Sequence, residues 1–208
     1  EEIVKPKHLV YYDGIFVGYI MEYLPEGEAL WDNSEKYSFE EKIDKIKEIE
    51  KVMKKLHERH VFICDLNPDN IFFDKNGKVR LIDCDSFVIK NNVINNETDN
   101  KYKDPLNKIV SEKTDLYAFA ITTLQLLIDK KFPNDANFNK NKNKIPVSFK
   151  NYYDQIFKGK DRYYLTDSYE KYLNEMYSDP SLLDENKRSG KISVVILSFI
   201  MVVVAVIG

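Results

Sequence analysis

Hydrophobic and polar positions follow two different periods along this chain. Ile43, Ile46, Ile49, Met53 and Leu56 recur every three or four residues with Lys and Glu between them, which predicts an amphipathic helix. Ser38 followed by Glu41 forms a capping box at its start, and the pattern ends near His60. Shorter helical patterns occur at Tyr152 to Phe157 and Tyr169 to Tyr177. Strand-like runs stand at His8 to Tyr12 and Ile15 to Met21, around the turn dipeptide Asp13-Gly14. A second pair, Ile71 to Phe73 and Lys78 to Ile82, flanks Asp74-Lys75-Asn76-Gly77. Residues 134–144 are rich in Asn and Lys and predict a loop.

The second hairpin carries the chemistry. The stretch "ICDLNPDNIFFDKNGKVRLIDCDSF" sets carboxylates and amides on both sides of apolar runs. Folding it antiparallel with Asp74 opposite Gly77 places Asn70 near Leu81 and Asp83 near Pro68. Asp65, Asn70 and Asp83 then converge at one end of the ribbon. Asn70 and Asp83 are hard oxygen ligands suited to magnesium, which takes its other ligands from water and phosphate. Asp65 is left to accept a proton or orient a nucleophile.

These residues resemble the catalytic and metal-binding loops of the protein-kinase superfamily, whose pattern is H-R-D-L-K-x-x-N, a hairpin, then D-F-G. The ending Asp83-Cys84-Asp85-Ser86-Phe87 is closer to a bacterial branch with D-x-D-S-F. The resemblance implies an α+β, protein-kinase-like fold. It assigns residues 1–24 to the end of the N-lobe and hinge, and residues 25–186 to the helical C-lobe. It implies ATP and Mg2+ as cofactors, Asp65 as the catalytic aspartate, Asn67 in place of the phosphate-neutralising lysine, and Asn70 and Asp83 as metal ligands. "MEYLPEGEAL" resembles the hinge: Met21 lies beside the adenine, Glu22 to Leu24 offer backbone hydrogen bonds, and Glu28 lies near the ribose. Residues 88–103 take the place of the activation segment. "SEKTDLYAFAITTLQLLI", from Ser111, resembles the buried central helix, with Asp115 accepting hydrogen bonds from the catalytic-loop backbone. His57 then reads as a packed helix residue and His60 as a solvated or capping one. Tyr102 to Leu106 resembles the Ala-Pro-Glu stop, and Ser178-Asp179-Pro180 resembles D-P-x-x-R with Leu183 in the Arg place. Leucines at 106 and 183 would replace a buried ion pair by an apolar contact.

Composition narrows the reading further. With 208 residues, 43% hydrophobic, and a net charge of −3, the chain can bury one core and lacks the basic excess of a nucleic-acid binder. Its two cysteines, Cys64 and Cys84, do not make a disulfide framework and read as small packed side chains. Residues 192–208 carry no charge and follow Lys187, Arg188 and Lys191. That predicts a C-terminal transmembrane helix, at the short end of the roughly 17–25 residues required, with the preceding chain in the cytoplasm. A glycine-rich loop, a strand lysine and its helix glutamate are missing, as expected of a fragment that begins downstream of them and binds ATP weakly alone. Ile63 and Cys64 stand where His and Arg would, so activity is expected not to need activation-loop phosphorylation. The expected activity is phosphoryl transfer from ATP to Ser or Thr of a protein. The alternatives are a small-molecule kinase of the aminoglycoside or lipopolysaccharide type, or a weakly catalytic pseudokinase.

Overall fold

The computed structural model describes residues 2–24, 27–32, 34–89, 101–129, 135–141, 145–159, 161–166 and 169–171. Strands β1 (His8–Tyr12) and β2 (Ile15–Ile20) form an antiparallel hairpin, paired from His8↔Ile20 to Tyr12↔Ile15. Asp13 and Gly14 turn it with positive φ, which Gly adopts without strain. Its side chains are almost all exposed, on both faces. Strands β3 (Glu28–Ala29), β5 (Ile71–Phe73) and β6 (Val79–Leu81) make a second sheet in the order β3-β5-β6. Residues 2–4 run parallel to β6: Leu81 N–H donates to Glu2 O, and Val4 N–H donates to Leu81 O, both at 2.8 Å. Strands β4 (Val61–Phe62) and β7 (Val88–Ile89) form a short third ladder.

Helix α1 (Phe39–His57) begins as predicted. Glu41 N–H donates to Ser38 Oγ at 3.2 Å, and Ser38 N–H donates to Glu41 Oε2 at 2.7 Å. Ile43, Ile46, Ile49, Met53 and Leu56 are all buried. Helix α1 packs against α2 (Glu112–Ile128), in which every residue from Asp115 to Ile128 is buried. An element apolar on all sides is stable only when wrapped, and α1, α4 (Val147–Lys158) and the catalytic loop wrap it. Lys42 on α1 donates to both Asp129 oxygens at 2.7 Å, tying the first turn of α1 to the end of α2.

Two expectations need correction. The Asn/Lys-rich stretch expected as a loop contains α3 (Asp135–Asn141). Its anchor is Phe138, fully buried against the rings of Tyr153 and Phe157 on α4. Tertiary burial of one aromatic outweighs the weak helix propensity of Asn. The second hairpin is also displaced by one register position, as described below. The segment 172–208, with the expected membrane helix and Leu183, lies outside the described residues, as does most of the expected activation segment. Among the described residues, no helix is long and apolar enough to cross a membrane.

Candidate active site

The β5–β6 hairpin pairs Asp74 with Lys78, while Gly77 N–H donates to Asp74 O at 2.8 Å inside the turn. Asp74 N–H donates to Lys78 O at 2.9 Å, and Asp74 Oδ1 accepts the N–H groups of Asn76 and Lys78 at 2.8 and 3.0 Å. An Asp side chain that satisfies its own turn widens the loop by one residue. The register is therefore Ile71↔Leu81, and Asn70 O accepts the N–H of Ile82 at 3.0 Å, not that of Leu81. The ribbon still returns Asp83 to the catalytic loop.

That loop is held by one buried carboxylate. Asp115 Oδ2 accepts Ile63 N–H at 2.7 Å, and Oδ1 accepts Cys64 N–H at 2.9 Å. His57 Nε2 lies 2.9 Å from the same Oδ2. Asp115 is 1% exposed, and three donors compensate its desolvation. The structural role expected for Asp115 is what these contacts show. His57 is packed, as expected, but it is also hydrogen-bonded, which periodicity does not reveal. His60 is exposed at the end of α1, with positive φ.

Asp65 follows directly. Asn70 Nδ2 donates to Asp65 O at 3.0 Å and to Asp65 Oδ2 at 3.1 Å, leaving the Asn70 carbonyl oxygen out of both bonds. Asp65 Oδ1 is buried without a hydrogen-bond partner in the protein. A buried orphan acceptor costs about 1–3 kcal/mol unless something else supplies a donor or a cation. Asp83 adopts a left-handed backbone, φ 55° and ψ 56°, which few non-glycine residues do. Ser86 Oγ donates to Ile63 O at 3.0 Å and pins this turn to the catalytic loop. Burial, then the carboxylates of Asp85 and Asp65, push the Asp83 carboxyl above the usual range. Charge at this end of the ribbon is thus concentrated and short of cations.

Asn70, Asp83, Cys84 and Asp85 line one side of a cavity of about 660 Å³. Met21, Glu22, Tyr23 and Leu24 line it too, and Val4, Tyr19, Phe72 and Ile82 add apolar surface. The volume and the mostly apolar walls suit a flat heteroaromatic ring. Val4 carried no signal in a reading based on periodicity; its place comes from the residue 2–4 bridge to β6. Cys84 lines the cavity and burial raises its thiol pKa, while Cys64 is buried; neither is in a disulfide. The Glu22 carboxylate pairs with Arg80 at 2.7 Å.

Two expected site residues are engaged elsewhere. Glu28, in β3, is outside the cavity lining and pairs with Lys45 at 2.8 Å. The Lys45 ammonium also sits 4.3 and 4.0 Å from the ring centres of Tyr37 and Phe73. Asn67 caps the turn Pro68–Asn70: its Oδ1 accepts Asp69 N–H at 3.0 Å, and its Nδ2 donates to Asp65 O at 3.2 Å.

The residues present fit a magnesium nucleotide. Among the described residues, no three His, Cys, Asp or Glu side chains are gathered into a metal cage. Mg2+ does not require one, since it is commonly held by one or two carboxylates with phosphate and water. Asn70 and Asp83 would hold the ion, and the orphaned Asp65 oxygen and crowded Asp83 supply the unmet negative charge.

The chain matches the protein kinase domain over residues 1–199. It therefore belongs to the protein kinase family, whose chemistry is phosphoryl transfer from ATP, in general with Mg2+. No curated protein matches the chain significantly.

Proposed function

We propose that this chain is the catalytic part of a kinase that transfers the γ-phosphoryl group of ATP to Ser or Thr hydroxyls of a protein. The observation that supports it most is the bridge from Asn70 to the Asp65 carboxylate, with Asp83 close enough to be perturbed by Asp65. In this reading Asp65 orients the acceptor hydroxyl and accepts its proton. Asn70 and Asp83 hold the metal, which neutralises charge on the phosphates. Met21 and Leu24 enclose the adenine, and the backbone of Glu22 to Leu24 hydrogen-bonds its edge. Residues 192–208 anchor the domain to a membrane, with the kinase on the cytoplasmic side.

The test is radiolabelled phosphate transfer by the full-length protein with Asp65→Asn and Asp83→Asn. The expected outcome is a loss of about 10²–10⁴-fold for Asp65→Asn, the range for removal of a general base. Asp83→Asn should also abolish Mg2+-dependent nucleotide binding. Equal transfer by all three proteins overturns the reading. A second reading, a pseudokinase, is favoured by Asn67, whose amide is spent inside the loop and brings no positive charge. It corresponds to wild-type protein that binds Mg2+-ATP but transfers nothing.

A further inference from the structure

Arg162, Tyr164 and Thr166 alternate along one short segment, and each reaches a different part of the molecule. Arg162 donates from Nε and a terminal nitrogen to the two Asp104 oxygens, at 2.9 and 3.0 Å. Thr166 donates from its N–H to both oxygens of Glu50, at 3.2 and 3.1 Å, and from Oγ1 at 3.2 Å. Between them the Tyr164 hydroxyl lies 2.9 Å from His57 Nδ1. His57 Nε2 faces the Asp115 carboxylate, which only accepts, so Nε2 carries a proton, while Nδ1 faces the Tyr164 hydroxyl and lies 3.8 Å from Glu112 Oε1. The Tyr164 hydroxyl therefore hydrogen-bonds the His57 ring beside the Glu112 carboxylate. Burial and the nearby Glu112 raise its pKa, which keeps the proton on the phenol.

We infer that Tyr164 is a positioning residue: through His57 and Asp115 its hydroxyl sets the amides of Ile63 and Cys64, and with them the Asp65 carboxylate. The segment 162–166 thereby links Asp104, at the end of the activation-segment region, to the catalytic loop. This rests on the reading of Asp65 given above. The plainer role for Tyr164 is ring packing, since its ring centre lies 6.4 Å from His57 and 6.5 Å from Phe119. Tyr164→Phe keeps the ring and removes only the hydroxyl, so it separates the two.

The experiment compares wild-type full-length protein, Tyr164→Phe and Thr166→Val. Amide hydrogen exchange is followed in the peptide spanning residues 61–66, alongside kcat and ATP KM. Loss of one buried hydrogen bond is expected to speed exchange at Ile63 and Cys64 about 5–10-fold in Tyr164→Phe. kcat should fall with ATP KM unchanged, and Thr166→Val, which touches Glu50 instead, should do neither. Unchanged exchange in Tyr164→Phe, equal effects from both variants, or failure of Tyr164→Phe to fold would each overturn the inference. If wild type transfers no phosphate, the catalytic reading falls, and the exchange data still decide the positioning role.

Discussion

At Asp83, two neighbouring carboxylates and burial act in the same direction. The folded carboxyl binds its proton more tightly than the unfolded chain does. Its contribution to stability is therefore largest at low pH and declines as pH rises from the ordinary Asp value, about 3.9, through the raised folded value. Asp85→Asn removes one of the repelling charges. The Asp83 midpoint, followed by carbon-13 carboxyl NMR, should move down toward the ordinary range. An unchanged midpoint would mean that Asp85 does not act on Asp83. Residue chemistry was the most legible level in the sequence. Asp65, Asn70 and Asp83 stand out because oxygen side chains interrupt apolar runs at a turn-defined spacing, and Asp115 through the resemblance of its helix to the central kinase helix. Glu28 did not behave as expected because its partner, Lys45, comes from α1, and nothing local announces that contact.

Elements form here where local signals and burial agree. The capping box of α1 is written in four residues and is present in both directions. Ser38→Ala should cost about 1 kcal/mol, measured by chemical denaturation, because Glu41 N–H loses its acceptor. Ser38→Asp should retain most of the stability, since a carboxylate can take the same bond. The β5–β6 hairpin was visible as an element but not in register. Asp74 closing its own turn on Lys78 is a side-chain choice among several turns that the same residues allow. Helix α3 was not visible, because its composition favours loop and a single buried Phe138 decides otherwise.

Across the whole molecule, the expected contact of Leu106 with Leu183 lies outside the described residues, and an ion pair stands close by. Leu106 is 49% exposed. Two positions earlier, Asp104 and Arg162 pair with both side chains fully buried. Burial raises the Asp104 carboxyl, but hydrogen bonds from Arg162, Asn107 and the Leu106 amide outweigh it and leave the net pKa lowered. The contribution of Asp104 is thus present above the unfolded value, about 3.9, and is lost as pH falls through the folded one. Asp104→Asn leaves Arg162 buried without its counter-charge and should cost about 3–5 kcal/mol at neutral pH, with shallower acid unfolding. Asp104→Leu with Arg162→Met should recover most of that loss. A double variant as unstable as Asp104→Asn would show that the pair itself stabilises the fold. By itself the sequence determined the period of α1, its cap, the place of the two hairpins and the oxygen side chains of the site. Each of these depends on residues within a few positions of one another. Only the tertiary structure decided which carboxylates are left over. Asp104, Glu28, Glu50 and Asp115 are all acidic residues in similar polar settings along the chain, yet each is claimed by a partner at least 17 residues away. Asp65 Oδ1 alone among the buried carboxylate oxygens of the described residues is left without a partner, and that difference arises from packing, which no local pattern encodes.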